Sequence, residues 1–500
     1  MTLGVGGILS AEPAPIVRRL TFGSKEAASP DHRDLFDAMA RVNLAHAVML
    51  HDHALVTHEV GGALVGLMLE ILRGGMQSVP LQAEDGDLYP QIEAYASRQL
   101  GRDVAGFLQL GRSRGDVIPA AMRLKLRIKE ARLLDRQLQL RASILELARR
   151  HSKAVMPSYT HWQRSQVMTL GHFLGRFAAW FGRDFRRLLD CTLRHDLSPL
   201  GCANGVGTSV RLDRSTTSNL LGHLDPVPSA GDAVYSWDYM MEPVCATAVF
   251  ASHAARLMGN FILWHTPEFG MVRLSDAFST ASTYLPQKRN PEPLETVKAF
   301  AELIHGDLAT VFLMARNEDW PHSLINQGYP AINRALDLGV DCADLMTAIL
   351  SDIEFMPSRM RSHIDGSFVT ASEVANALVV GTGIAFREAH EIVGLAVRTC
   401  LAAGETQLKP ESIREAAVTL GHGTLPISDD EIRSALDPDE FVKRMNSPGG
   451  ASPDSFEHII ALWEKELNQD RQALGEAVQR WERADAALIE RASAIVVKTR

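Results

Sequence analysis

Pro119 to Lys153 reads PAAMRLKLRIKEARLLDRQLQLRASILELARRHSK. Almost every residue is a good helix former, and Leu124, Ile128, Ala131, Leu134, Leu138, Ala142 and Leu145 recur at steps of three and four, which puts them on one helix face. One helix of that length spans roughly 45 Å at the usual rise per residue. Working outward, similar runs cover about Gln166 to Arg194, Asp238 to Trp264, Glu292 to Arg316, Arg334 to Ile353 and Ser455 to Lys498. No convincing run of alternating strand residues interrupts them. The pattern predicts an all-α chain, a bundle of very long helices with smaller helical caps at each end. Several helix faces are apolar enough to need neighbours from other subunits.

The composition agrees. A chain of 500 residues with 46% hydrophobic and 22% charged residues has material for an extensive core, and its 6% aromatic content suits aliphatic helix seams better than a β-sandwich. The net charge of −9 repels phosphate backbones, which argues against a nucleic-acid partner. Five scattered cysteines without CxxC spacing point to a reducing, cytosolic compartment and away from zinc. Gly61 to Leu72 is too short an apolar stretch to span a bilayer, and Met1 to Pro15 lacks a signal-peptide pattern, so no membrane association is expected. Boundaries near Gly115 and Met356-Pro357 divide the chain into an N-terminal helical part (1–115), a central long-helix part (116–356) and a C-terminal helical part (357–500).

Four segments between the helices concentrate polar chemistry: Leu108 to Asp116 (LQLGRSRGD), Met156 to Arg164 (MPSYTHWQR), Ser198 to Thr208 (SPLGCANGVGT) and Ser275 to Glu295 (SDAFSTASTYLPQKRNPEPLE). In the last, small and hydroxyl residues lead through Lys288 and Asn290 to a helix start at Pro291-Glu292, where backbone donors favour an anion. An exposed turn with a basic cap would read the same way. Thr160 and His161 offer a hydroxyl and a group that titrates near neutral pH, although a lone His is more often structural. Arg112 and Arg114 flank Ser113 and can grip a dicarboxylate, or form a solvated basic turn. Ser198 to Thr208 is glycine-rich but lacks the Lys of a phosphate loop and a preceding strand, so a nucleotide site is discarded.

Together these segments resemble the argininosuccinate lyase branch of the aspartase/fumarase superfamily, from about Leu35 to about Arg398. The family's GSSxMPxKxNP appears as Ala281 to Pro291 with its first Gly, second Ser and Met changed. GRSRND appears as Gly111-Arg112-Ser113-Arg114-Gly115-Asp116, and YTHLQ as Tyr159-Thr160-His161-Trp162-Gln163. Ser198-Pro199-Leu200-Gly201, Pro267-Glu268-Phe269-Gly270 and Phe386 to Glu391 also match. The resemblance implies a three-part fold whose long helices form a twenty-helix core in a homotetramer, with sites built from three subunits. It implies elimination of an amine from an N-substituted aspartate to give fumarate, without metal or organic cofactor.

On that resemblance Ser282 is the base that takes the Cβ proton, and Lys288 with Asn290 stabilises the resulting aci-carboxylate. His161 pairs with Glu295 and either protonates the amine or positions substrate. Arg112, Ser113, Arg114, Thr160 and Thr283 belong to the substrate-binding set. The family segment YNKDxQxxK holds the arginine portion of argininosuccinate, but here Arg316 stands in place of its Tyr and 317–333 has no Lys or Arg. That segment is about five residues longer. Gly115 replaces the family's Asn, and Gly86-Asp87-Leu88-Tyr89 only approximates its EDxH. An Arg facing the amine side favours a carboxylate-bearing arm, as in ethylenediamine-N,N'-disuccinate, and repels a guanidinium. Argininosuccinate or another N-substituted aspartate regains the lead if Arg316 faces solvent. Relatives of this fold also serve as structural lens crystallins, so a non-catalytic chain is the alternative of another class.

Overall fold

A computed structural model describes residues 14–17, 30–81, 88–316 and 322–499. The helices before the long central set include α1 (Pro30–Asp52), α2 (His58–Gly74) and a shorter one at Leu88–Leu100; the central set is α3 (Arg114–Arg150), α4 (Leu170–Arg194), α5 (Asp238–His265), α6 (Glu292–Met314) and α7 (His322–Asp352). Then come α8 (Ala371–Thr382), α9 (Phe386–Ala402), α10 (Pro410–Thr419), α11 (Asp429–Leu436) and the 47-residue α12 (Pro453–Thr499). One apolar core runs from Phe36 through the central helices to Met360 and on into α12, while Val374, Leu378, Ile392, Ile413 and Ile432 of α8 to α11 form a second.

Local chemistry sets the helix limits. Ser113 caps α3: its hydroxyl accepts from the Gly115 N–H at 3.1 Å, and Asp116 accepts from the Ser113 N–H at 2.8 Å. Thr169 caps α4 by accepting from the His172 N–H. Along α4, Phe173, Phe177, Phe181 and Phe185 recur at steps of four and are buried, forming one aromatic ridge that packs on α5 through Phe250. Helix α12 returns across α3. The fully buried Arg141 of α3 donates to Asp470 at 2.5 Å and to Glu466 at 3.2 Å, which settles its charge inside the core.

The chain reverses at each end of this frame. Arg123, near the start of α3, donates to the His195 carbonyl after α4 and lies over the Tyr239 ring at the start of α5. Thus α4 runs antiparallel to α3, and α5 runs parallel to it. At the far end of α3, His151 meets Phe355 and Tyr159 meets Phe269. There β3 (Val272–Arg273) pairs antiparallel with β6 (Glu354–Phe355).

Two expectations need correction. Met156 to Arg164, read as a loop, belongs to an antiparallel hairpin of β1 (Val155–Thr160) and β2 (Gln163–Thr169). Its turn places His161 and Trp162 at φ 51° and 61°, a conformation that Gly and Asn usually announce. Helix α7 starts at His322, twelve residues before the expected Arg334, because Pro330 is accommodated inside it.

Candidate active site

The signature segment folds on itself before α6. Strands β4 (Thr280–Ala281) and β5 (Arg289–Asn290) pair antiparallel, and the residues from Ser282 to Lys288 form the loop between them. Inside that loop the Ser282 Oγ accepts from the Leu285 N–H at 2.9 Å and from the Tyr284 N–H at 3.3 Å. Donors aimed at a hydroxyl oxygen favour its deprotonated form. The Lys288 N–H closes the turn on the Leu285 carbonyl. Behind it, Arg289 donates to the Leu274 carbonyl at 3.1 Å and pairs with Asp276 at 2.6 Å, holding the loop base to the segment before it. Asn290 is half-buried, Lys288 and Thr283 are exposed, and Glu295 is exposed in the first turn of α6.

The β1–β2 hairpin lies at the same end. The pairing slips between Pro157 and Tyr159, and there the Ser158 hydroxyl donates to the Gln166 carbonyl at 3.0 Å while accepting from the Gln166 N–H. This bulge leaves Tyr159 against Phe269 and carries Thr160 and His161 to the exposed tip. Within one chain, His161 and Glu295 make no hydrogen bond to each other among the described residues.

At the opposite end of α3, Gly111 sits at φ 72°, and a Cβ there would meet Leu212 Cδ1 at 2.9 Å. Arg112 is 5% exposed, and its three guanidinium nitrogens have no hydrogen-bond partner among the described residues. It faces Tyr89, Glu93 and Asp116, and the two carboxylates offset part of its burial. Burial and the Arg112 charge hold His46 well below the usual histidine range, so its ring is neutral. Arg114 is half-buried, and burial brings its guanidinium down to about 10. The Ser113 hydroxyl is committed to the α3 cap.

Asp116, which sequence reasoning passed over, links two of the polar segments. One carboxylate oxygen accepts from the Gly201 N–H at 2.7 Å and the Ala203 N–H at 3.1 Å, while the other caps α3. The S-x-x-D pattern of a capping box was its one sequence signal. Because α6 runs back along α5, Arg316, exposed just past α6, stands at this same end. Gly86-Asp87 and 317–320 lie outside the described residues.

One chain therefore gathers the expected site residues into two groups. Ser282, Thr283, Lys288, Asn290, Glu295, Thr160 and His161 share one end; Arg112, Ser113, Arg114 and Arg316 share the other. The 37 residues of α3 put roughly 55 Å between the arginines at its start and the hairpin past its end, and Glu295 and Arg316, at the two ends of the 23-residue α6, are roughly 30 Å apart. The described residues that converge in the manner of metal ligands, Cys191, His195 and Glu242, belong to neither group.

Comparison with known proteins bears on what such groups do. Residues 28–306 match the family model described as Lyase, and 368–443 match the one described as Argininosuccinate lyase C-terminal. The chain is 29% identical to an argininosuccinate lyase of Methanocaldococcus jannaschii over 90% of its own length and 92% of that protein. It is 30% identical to that of Methanothermobacter thermautotrophicus, covering 92% and 97%. Among solved structures, an EDDS lyase in complex with formate superposes with a TM-score of 0.84 at 28% identity, covering 97% of this chain and 99% of that one. A class II fumarase of Schistosoma mansoni shares the fold alone, at a TM-score of 0.67 and 14% identity.

Proposed function

The chain belongs to the Lyase family, in the argininosuccinate lyase branch of the aspartase/fumarase superfamily, and is a carbon–nitrogen lyase; from that premise we propose that it eliminates fumarate from an N-substituted aspartate whose amine arm carries carboxylate. The observation that carries the chemistry is the Ser282 oxygen under two backbone N–H donors. As an alkoxide it would take the Cβ proton. The electrons would pass to the adjacent carboxylate, giving an aci-carboxylate, and return as the C–N bond breaks and the amine leaves with a proton. Lys288, Asn290 and the first turn of α6 would meet the charge as it develops. His161 and Glu295 would serve as the pair on the amine side, supplying that proton or positioning the substrate. Closure of the segment from Asp276 to Arg289 would exclude water.

Arg316 supports the choice of amine. It stands where the branch has a tyrosine, at the same end as Arg112 and Arg114, and 317–333 adds no Lys or Arg. A cation there suits a carboxylate-bearing arm such as that of ethylenediamine-N,N'-disuccinate, and the likeness to EDDS lyase supports the same reading. The elimination would then yield fumarate and an N-substituted aspartate. The identity to argininosuccinate lyases over nine-tenths of the chain supports the second reading, release of arginine and fumarate; Arg316 is exposed on a single chain, and in a site shared between subunits its neighbours would decide whether it faces solvent or the amine arm. Ultraviolet absorbance of fumarate, followed with the disuccinate and with argininosuccinate, decides between them. Faster turnover of argininosuccinate sinks the first.

A further inference from the structure

The C-terminal end of α4 and the second turn of α5 bring Cys191, His195 and Glu242 together, so that one Sγ, one ring nitrogen and one carboxylate oxygen lie within 4.8 Å of one another. Cys191 and His195 are four residues apart and so share a helix face, while Glu242 reaches them across the packed α4–α5 seam. His195 Nε2 lies 3.0 Å from Glu242 Oε2, and Arg194 bonds the same oxygen. Cys191 is 2% exposed, yet its thiol faces two carboxylates, Glu242 and the buried Glu130. Burial and those carboxylates push the thiol up, so it keeps its proton until a cation reaches the sulfur. The place already holds a cation, the Arg194 guanidinium, on a side chain that is 57% exposed and free to swing into water.

We propose that Cys191, His195 and Glu242 form a site for one divalent transition-metal ion of the zinc or cobalt class, with Arg194 as the counter-charge that the ion displaces. Thiolate, imidazole and carboxylate are the donors such an ion takes, and three of them leave a fourth tetrahedral position to water. On binding, the Cys191 thiol gives its proton to solvent as the sulfur–metal bond forms. Thiolate and carboxylate then balance the two charges of the ion. The ion pins the end of α4 to the start of α5 and takes no part in the elimination.

The test is a Co²⁺ titration of the full chain after chelator treatment. One ion per chain is expected, with a thiolate-to-cobalt charge-transfer absorption in the near ultraviolet. Cys191→Ser should remove that absorption, and Glu242→Gln should weaken binding about tenfold or more. Arg194→Ala, which changes only an exposed side chain, should tighten binding and keeps the test sound if Cys191→Ser does not fold. Absence of bound cobalt in the unaltered chain, an unchanged absorption in Cys191→Ser, or unimproved binding in Arg194→Ala each overturns the proposal.

Discussion

Ser282 owes its proposed role to geometry made within three residues of itself. A serine hydroxyl is a poor base, and the Tyr284 and Leu285 amides are what would make its alkoxide accessible. Ser282→Ala is expected to lower fumarate release by about 10³-fold or more while leaving the helical circular dichroism intact. Release at the original rate would refute its assignment as base. Activity that depends on Ser282 would also set aside the crystallin-like alternative. Asp116 makes the opposite kind of contribution. Its carboxylate accepts from Ser113, Gly201 and Ala203, and an amide in its place would turn a donor toward donors. Asp116→Asn should therefore cost about 2–3 kcal/mol, read from urea unfolding. The α3 cap was legible in GRSRGD. The hold on Gly201 was not, because it joins positions 85 residues apart.

At the scale of elements, the long helices were legible because their apolar residues keep one period for many turns, and α3 and α4 end close to where the pattern does. What escaped were elements whose local signals point elsewhere. Pro330 marks a break by propensity, yet α7 continues through it while Tyr329 and Ile332 beside it enter the core. The β1–β2 hairpin carries no Asn-Gly turn and includes Pro157, so pairing across the slip at Ser158 had no counterpart in residue pattern. Its turn is strained in a testable way. Trp162 is at φ 61° with its side chain 83% exposed, so Trp162→Gly should raise stability by about 1 kcal/mol in thermal or urea unfolding. A loss of stability instead would mean that the indole is covered by another chain.

For the whole molecule, the net charge of −9 says less than where the cations stand. Arg112, Arg114 and Arg316 stand toward one end of α3 and Lys288 at the other, so on the proposed function an anionic substrate would draw on both ends although the rest of the chain is acidic. Neither group can reach the other within one subunit across roughly 30–55 Å of helix. Apolar side chains left in water along the bundle, including Ile128 at 64% exposure and Leu313 at 61%, supply faces for other copies to cover. A homotetramer with antiparallel neighbours would set the arginine end of one subunit against the signature loop of another, so that a site is shared. Subunit mixing tests this arrangement directly. Ser282→Ala and Arg114→Ala chains should each be inactive alone. Unfolded and refolded together in equal amounts, they would assemble some sites that take an intact Ser282 from one chain and an intact Arg114 from another. With random assembly that fraction is about a quarter, and fumarate release should recover to a comparable share of the unaltered rate. If mixed tetramers form, as seen with tagged chains on an ion-exchange column, yet release no fumarate, the two groups do not belong to one shared site.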